Sequence, residues 1–564
     1  MRKATGVLLG ILLSVVTALA QDREVRSWQE DIDYLVRRIE VMHPDPYVFC
    51  PREEFLRLRD QLVSEIPGRS EADMAISISE LLARLRDGHT RMGFELSDPA
   101  WLDRMFHLLP FIFYPFEDGV FVLAGLPEQR QWVGSRVVHI GGMPVEEAAR
   151  RLARLYSSDN LFAERKNLYF TLGLAEMLKR VGAAAATDRI ELTLRNAGNR
   201  EKTISVNTVS FLRMAPILGT WYPQAGAGLA TMNEATADPL PLWLRHREKK
   251  FWFAHVPEDK LMYLQINSLN FPHDSGEESF VEACNVFFAA LDRCAPERLV
   301  IDVRANNGGN HVELPLLKGI LARPALDRRD KLFLIIGRVT YSAAVHFTTL
   351  FKRYTRATVI GEPAAGRPNH YGSIRKFALP NHPQVVIGCS VDYYQDSQPF
   401  DFNVSHFPDI LAPMTSAGYR DNIDPAMVKV RDYDRIRAQA AALQKELEKE
   451  YAASGMAGLT RAYAAGKQEL LRSGYNPEKF LDEFNNEWFY ANKKSPADYL
   501  DFLAFAFAEC PASIDFCYAL AAQLQVQDRV QEAKKFYNQC LQLNPACHYA
   551  KMKLGLLELQ EALP

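Results

Sequence analysis

The segment Thr340-Tyr341-Ser342-Ala343-Ala344 follows an apolar run, Leu332 to Ile336, and opens a stretch with helical periodicity. A strand that turns directly into a helix would set the Ser342 hydroxyl beside unpaired N–H groups and the positive end of the helix dipole, where charge developing on oxygen is stabilised. That layout suits a nucleophile, although taken alone it also describes a serine that caps a helix. A second apolar run, Leu299 to Val303, ends in Arg304-Ala305-Asn306-Asn307-Gly308-Gly309-Asn310. Gly308 and Gly309 allow backbone N–H groups to approach a reacting group closely, which makes them candidate oxyanion donors; a tight turn needing positive φ is the plainer alternative. Upstream, Met74, Ile78, Leu81, Leu82 and Leu85 form one helical face, with Gly88 as the expected stop, so that His89 emerges just beyond the helix. Imidazole is the usual base for a serine hydroxyl near neutral pH, and a helix-end histidine bonded to backbone is the competing role.

Together these pieces resemble the tail-specific, or C-terminal processing, serine peptidase family, in the branch that includes the core of the tricorn protease. The chain carries the family's motifs in the family's order: Asp87-Gly88-His89-Thr90, then Val138-His139-Ile140-Gly141-Gly142-Met143-Pro144-Val145, then Val300 to Gly309, then Thr340 to Ala344. Val359-Ile360-Gly361-Glu362 with Gly366 and the pair Pro408-Asp409 follow, so the resemblance spans roughly Trp28 to Asp424. It implies an α/β multidomain protein: an N-terminal helical bundle, a PDZ-like domain and a ClpP/crotonase-like sheet-and-helix core. It also implies an endopeptidase acting on polypeptides through Ser342 and an acyl-enzyme, with His89 as base and N–H groups of Gly308 or Gly309 and Ala343 on the oxyanion.

Two departures alter the family's relay. Arg367 stands where the processing branch has a basic lysine, and a guanidinium stays protonated, which disfavours a Ser-Lys dyad. Gly88 replaces the serine that precedes the tricorn-like histidine, leaving Asp87, Glu362 or Asp409 as the acid that would orient the imidazole. His370 competes with His89 as base, while His346, one helical turn after Ser342, is expected to pack beneath the site. Arg367 would bind a substrate carboxylate or pair with Glu362. Non-catalytic relatives of this core, such as the retinoid-binding protein of the photoreceptor matrix, define an alternative in which the chain binds a ligand without turnover. A third reading is a helical-repeat scaffold that assembles partners.

The elements that must position these residues fit within 564 residues of ordinary globular composition, 48% hydrophobic and 24% charged. A net charge of -3 gives no basic stripe for nucleic acid. Arg2-Lys3, the apolar run Val7 to Val16 and Ala18-Leu19-Ala20 before Gln21 have the form of a secretory signal, which implies a periplasmic or extracellular protein. Residues 21–104 are expected to be helical, 105–208 PDZ-like, 209–424 the protease core and 425–564 helical, with Cys517 to Pro545 resembling a tetratricopeptide unit that could bind a protein partner. A linker is expected through Tyr222-Pro223-Gln224-Ala225-Gly226 and Pro239-Leu240-Pro241. In the core, strands Leu261 to Ile266, Arg298 to Val303, Lys331 to Ile336 and Ala357 to Ile360 alternate with helices Glu278 to Leu291, Val312 to Leu321 and Ser342 to Tyr354. Such alternation predicts a mainly parallel sheet with its crevice at the carboxyl ends of the strands. Eight cysteines permit one or two bridges among Cys510, Cys517, Cys540 and Cys547; no metal-binding spacing is present, and no cofactor is implied.

Overall fold

In the computed structural model, which describes residues 2–219, 221–224, 228–234, 236, 239–271, 279–490, 492 and 495–562, the chain forms two units. The first comprises Met1–Pro115, Gly119–Glu234 and Tyr371–Tyr394; the second comprises Phe116–Asp118, Ala235–His370 and Gln395–Pro564. Ala225 and Gly226 of the expected linker, and the expected helix start at Glu278, lie outside the described residues.

Three helices open the first unit: Arg2–Met42, Arg52–Glu65 and Glu71–Ala83. Ile32, Leu35, Val36 and Ile39 are buried at helical spacing, and the third helix starts on a capping box between Ser70 and Asp73. Its end differs from the expectation. The helix stops at Ala83, and Arg86, at φ 51°, takes the left-handed position that Gly88 was expected to fill. Asp87 to Thr90 is therefore a separate turn, tied down by the pairing of Arg91–Met92 with the long strand Val386–Gln395. Strands Gly119–Gly125, Arg136–Ile140, Arg189–Arg195 and Glu201–Asn207 belong to a seven-stranded sheet, with helix Val145–Leu152 beside it. Helices Leu161–Thr171 and Ala175–Arg180 are separated at Gly173, whose carbonyl accepts the Leu109 N–H.

In the second unit, six strands run in the order Phe251–Val256, Leu261–Ile266, Arg298–Asp302, Leu332–Ile336, Thr358–Gly361 and Ile410–Leu411. All neighbours are parallel except the first pair, as the strand–helix alternation requires. Alternate residues feed two cores. Leu299, Ile301, Leu332, Leu334 and Ile336 pack with the helices Phe280–Cys294, Leu314–Leu321 and Ala343–Tyr354. Val300, Phe333 and Ile335 face the other way, into a cluster with Met427, Val430, Tyr433 and Ile436 that continues through the C-terminal helices to Leu557. The region after Asp424 thus supplies the second cover that a parallel sheet needs. Within it, Leu520, Ala533 and Tyr537 are buried between the helices Ile514–Val526 and Val530–Leu543. The long helix Tyr433–Ser473 is interrupted at Ser454 and Gly455. All eight cysteines are free thiols, so the bridges expected among the last four are not formed. Among the described residues no helix is long and apolar enough to cross a membrane.

One charged group is set deep in this architecture. Arg304 is 6% exposed, holds Asp302 at 2.8 Å and grips both oxygens of Asp424 at 2.8 and 3.0 Å, with its guanidinium 5.1 Å from the Trp243 ring centre. Asp302 also accepts from the Tyr263 hydroxyl at 2.7 Å. Removing the cation would strand two buried carboxylates. Arg304→Met is expected to cost about 3–5 kcal/mol of stability in denaturant unfolding, far more than a surface ion pair would.

Candidate active site

Ser342 occupies the N-cap position of helix Ala343–Tyr354 but does not cap it: no cap hydrogen bond is made, and its backbone sits at φ 54°, ψ −128°. That conformation belongs to glycine, and in a serine it costs of the order of 1–3 kcal/mol. It makes the passage from strand to helix a sharp elbow at Ser342. Neighbouring contacts hold the strain in place. The Thr340 hydroxyl accepts from the Gly337 N–H and donates to the Val303 carbonyl, both at 2.9 Å, and the Tyr341 N–H donates to the Asn306 carbonyl. Ala365 N–H reaches the Thr340 carbonyl at 3.0 Å. On the opposite side, a Cβ on Gly308 would fall 2.7 Å from Ser342 Cβ and 3.1 Å from the Ala343 nitrogen. Glycine is required there because backbone passes the nucleophile at contact distance.

The three candidate oxyanion donors are not equivalent. Gly308 N–H is spent inside its own loop, donating to Asn306 Oδ1 at 2.8 Å. Gly309 flanks a bridge to Leu269 built from the Gly308 carbonyl and the Asn310 N–H, which leaves its own N–H outside that pairing. Ala344 N–H turns to the Tyr341 carbonyl, and Val345 and His346 N–H turn to that of Ser342; Ala343 N–H has no acceptor among the described residues. Gly309 and Ala343 are therefore the donors this geometry offers.

His89 lies in the first unit, 3% exposed, at the centre of a buried polar cluster. Asp87 Oδ1 accepts the His89 N–H at 3.0 Å and stands 3.9 Å from its Nδ1. Asp87 Oδ2 takes the Ser390 hydroxyl at 2.6 Å and His43 Nε2 at 3.1 Å. Burial alone would raise the Asp87 pKa, but the His43 hydrogen bond, the charge of His89 and the Ser390 hydroxyl hold it well below the usual carboxylate range. Asp87 is thus an anion beside His89. His43 is excluded as a base because Nδ1 accepts the Asp45 N–H while Nε2 serves Asp87. Gly88 N–H donates to Asp159 Oδ1 and Thr90 Oγ1 accepts the Ser390 N–H, fixing the turn from both sides.

The other candidates divide. Glu362 pairs with Arg338 at 2.7 Å, a partner that the motif did not suggest. Asp409 is committed to the sheet edge, its Oδ2 accepting the Val359 N–H and its own N–H reaching the Val359 carbonyl. Arg367 and His370 are buried in the second unit. His346 does not pack as an apolar ring: it lies between Glu313 and Asp396. Sequence reading missed His43, Ser390 and Thr340 as supports. Ser390 lies about three hundred positions from Asp87 with no local pattern to mark it, whereas Thr340 stood inside the motif itself.

No protein-family model and no curated protein sequence matches the chain. Solved structures do. A serine-to-alanine mutant of CPAF aligns over 72% of this chain and 96% of its own at 14% identity, with a TM-score of 0.52. Mature CPAF aligns over 73% and 98% at 14% identity, with a TM-score of 0.50. The tricorn protease aligns over 72% of this chain and 36% of its own at 13% identity, at the looser TM-score of 0.33. The chain shares the fold of CPAF over 72% of its length, and the resemblance drawn from the motifs is borne out at the level of the fold.

Two outcomes follow from the geometry. Gly308→Ala should leave secondary structure intact by circular dichroism yet cut the reactivity of Ser342 toward a serine-directed reagent by about 100-fold, because the added methyl displaces the elbow. Asp87→Asn should lower the melting temperature at pH 7. The native carboxylate's depressed pKa stabilises above its unfolded value of about 3.9 and is lost as pH falls through the folded one, so the gap to wild type should hold down to about pH 4 and only begin to narrow below it.

Proposed function

We propose that the protein is an exported serine endopeptidase that hydrolyses peptide bonds of polypeptides through an acyl-enzyme on Ser342. The observation that carries this reading is the strained backbone of Ser342 with Gly308 against it, a costly conformation of the kind that clusters at active sites. In the proposed reaction His89 takes the Ser342 Oγ proton and the oxygen attacks the carbonyl carbon. The oxyanion accepts from the N–H groups of Gly309 and Ala343. Collapse breaks the C–N bond, the leaving amine takes the proton from His89, and water then hydrolyses the ester by the same route. The buried anion of Asp87 favours the imidazolium formed at His89, which supports it over His370 as base. Residues 1–20 would direct export, and the C-terminal helices remain a candidate surface for a protein partner.

Treatment of the protein with a fluorophosphonate should give one adduct, on Ser342 by peptide mass spectrometry, and an unfolded protein should be cleaved. Both signals should vanish in Ser342→Ala. In His89→Gln the labelling rate should fall by about 10³-fold, against less than threefold in His370→Gln. A folded wild-type protein that neither labels nor cleaves would sink the reading.

A further inference from the structure

One helical turn beyond the nucleophile, His346 joins three segments of the second unit. Its Nε2 lies 2.7 Å from Glu313 Oε1, on the continuation of the loop that carries Gly308 and Gly309, and its Nδ1 lies 2.6 Å from Asp396 Oδ2. Its ring stacks on His311 of the same loop, with centres 4.1 Å apart and planes 4° from parallel. Glu313 is 1% exposed. A neutral imidazole would turn a lone pair toward one of these carboxyl groups, so the geometry favours the imidazolium, held between them by charge. Burial on its own would lower the His346 pKa, yet the hydrogen bonds and charges of Asp396 and Glu313 raise it to about 9. Burial and the His346 charge push His311 the other way, below its ordinary value. The cluster therefore holds the His346 cation between two carboxyl groups, and it links the nucleophile helix to the glycine loop. Surface solvation does not account for it, because the side chains of His346 and Asp396 are only 12% and 14% exposed. Base catalysis does not account for it either, since an imidazolium cannot accept the serine proton.

We propose that His346 is a positioning residue: bridging Glu313 and Asp396, it clamps the glycine loop to the helix of Ser342 and so sets the spacing between the nucleophile and the Gly309 N–H. The proposal rests on the peptidase reading and adds a requirement to it. The clamp is complete below the ordinary histidine value of about 6.5 and is lost as pH rises through about 9. Reactivity of Ser342 should fall across that upper limb.

The test measures fluorophosphonate labelling rates, with kcat and KM on a peptide substrate, from pH 6 to 10.5 for wild type, His346→Gln and His346→Arg, each checked for folding by circular dichroism and thermal unfolding. His346→Gln should lose about 10- to 100-fold in labelling rate and kcat, with KM within about twofold. His346→Arg keeps a cation at every pH, so it should recover most of that loss and remove the decline above pH 9. A folded His346→Gln that labels like wild type overturns the clamp and leaves the peptidase standing, whereas unlabelled wild type overturns both. Should His346→Gln fail to fold, Asp396→Asn takes its place: a decline that begins at lower pH supports the clamp, and an unchanged profile overturns it.

Discussion

The site depends on one backbone constraint, the positive φ of Ser342. An L-residue adopts it only where surrounding structure outweighs the cost, and here that structure reaches into three neighbouring segments. Thr340 ties the turn to the end of strand Arg298–Asp302 and Asn306 receives Tyr341, while Ala365 closes the outer side. Asn306 itself donates to the Ile266 carbonyl, so the glycine loop, the nucleophile elbow and the adjacent strand end form one bonded set. Each strand end thus serves as a bracket for the next, which is what a parallel sheet offers at its carboxyl edge.

The first unit meets a different problem, that of keeping a buried carboxylate charged. Asp87 is 2% exposed, and its two oxygens are shared among a backbone N–H, a hydroxyl and an imidazole. Such a group is stable only when every acceptor site is used, and its supports come from segments that are distant in sequence. His43 stands where the first helix ends, and its ring rests on Tyr371 with centres 4.6 Å apart.

How much of this was legible follows from the range of each interaction. The core strands were, because Leu261–Ile266 and Leu332–Ile336 are apolar runs whose burial on both faces leaves a local signature. The nucleophile and its glycines were legible as short motifs, since their geometry is set within a few residues. The end of helix Glu71–Ala83 was misjudged because Arg86, not a glycine, takes the left-handed position. The pairing of Glu362 with Arg338 was not foreseen because side-chain pairing is fixed by tertiary contact, which spacing cannot encode. The role of His346 was hidden for the same reason: its partners stand 33 and 50 positions away, at Glu313 and Asp396.

The second core has a further consequence for how the molecule can be divided. Val300, Phe333, Ile335 and Ile360 belong to the same apolar cluster as Tyr433, Ile436, Tyr463 and Phe484. A chain ending at Asp424, where the motif-bearing segment stops, would leave one face of the sheet open to water and would aggregate through it. The last 140 residues are in this sense half of the hydrophobic interior of the unit that holds Ser342, and the boundary of resemblance is not a boundary of folding.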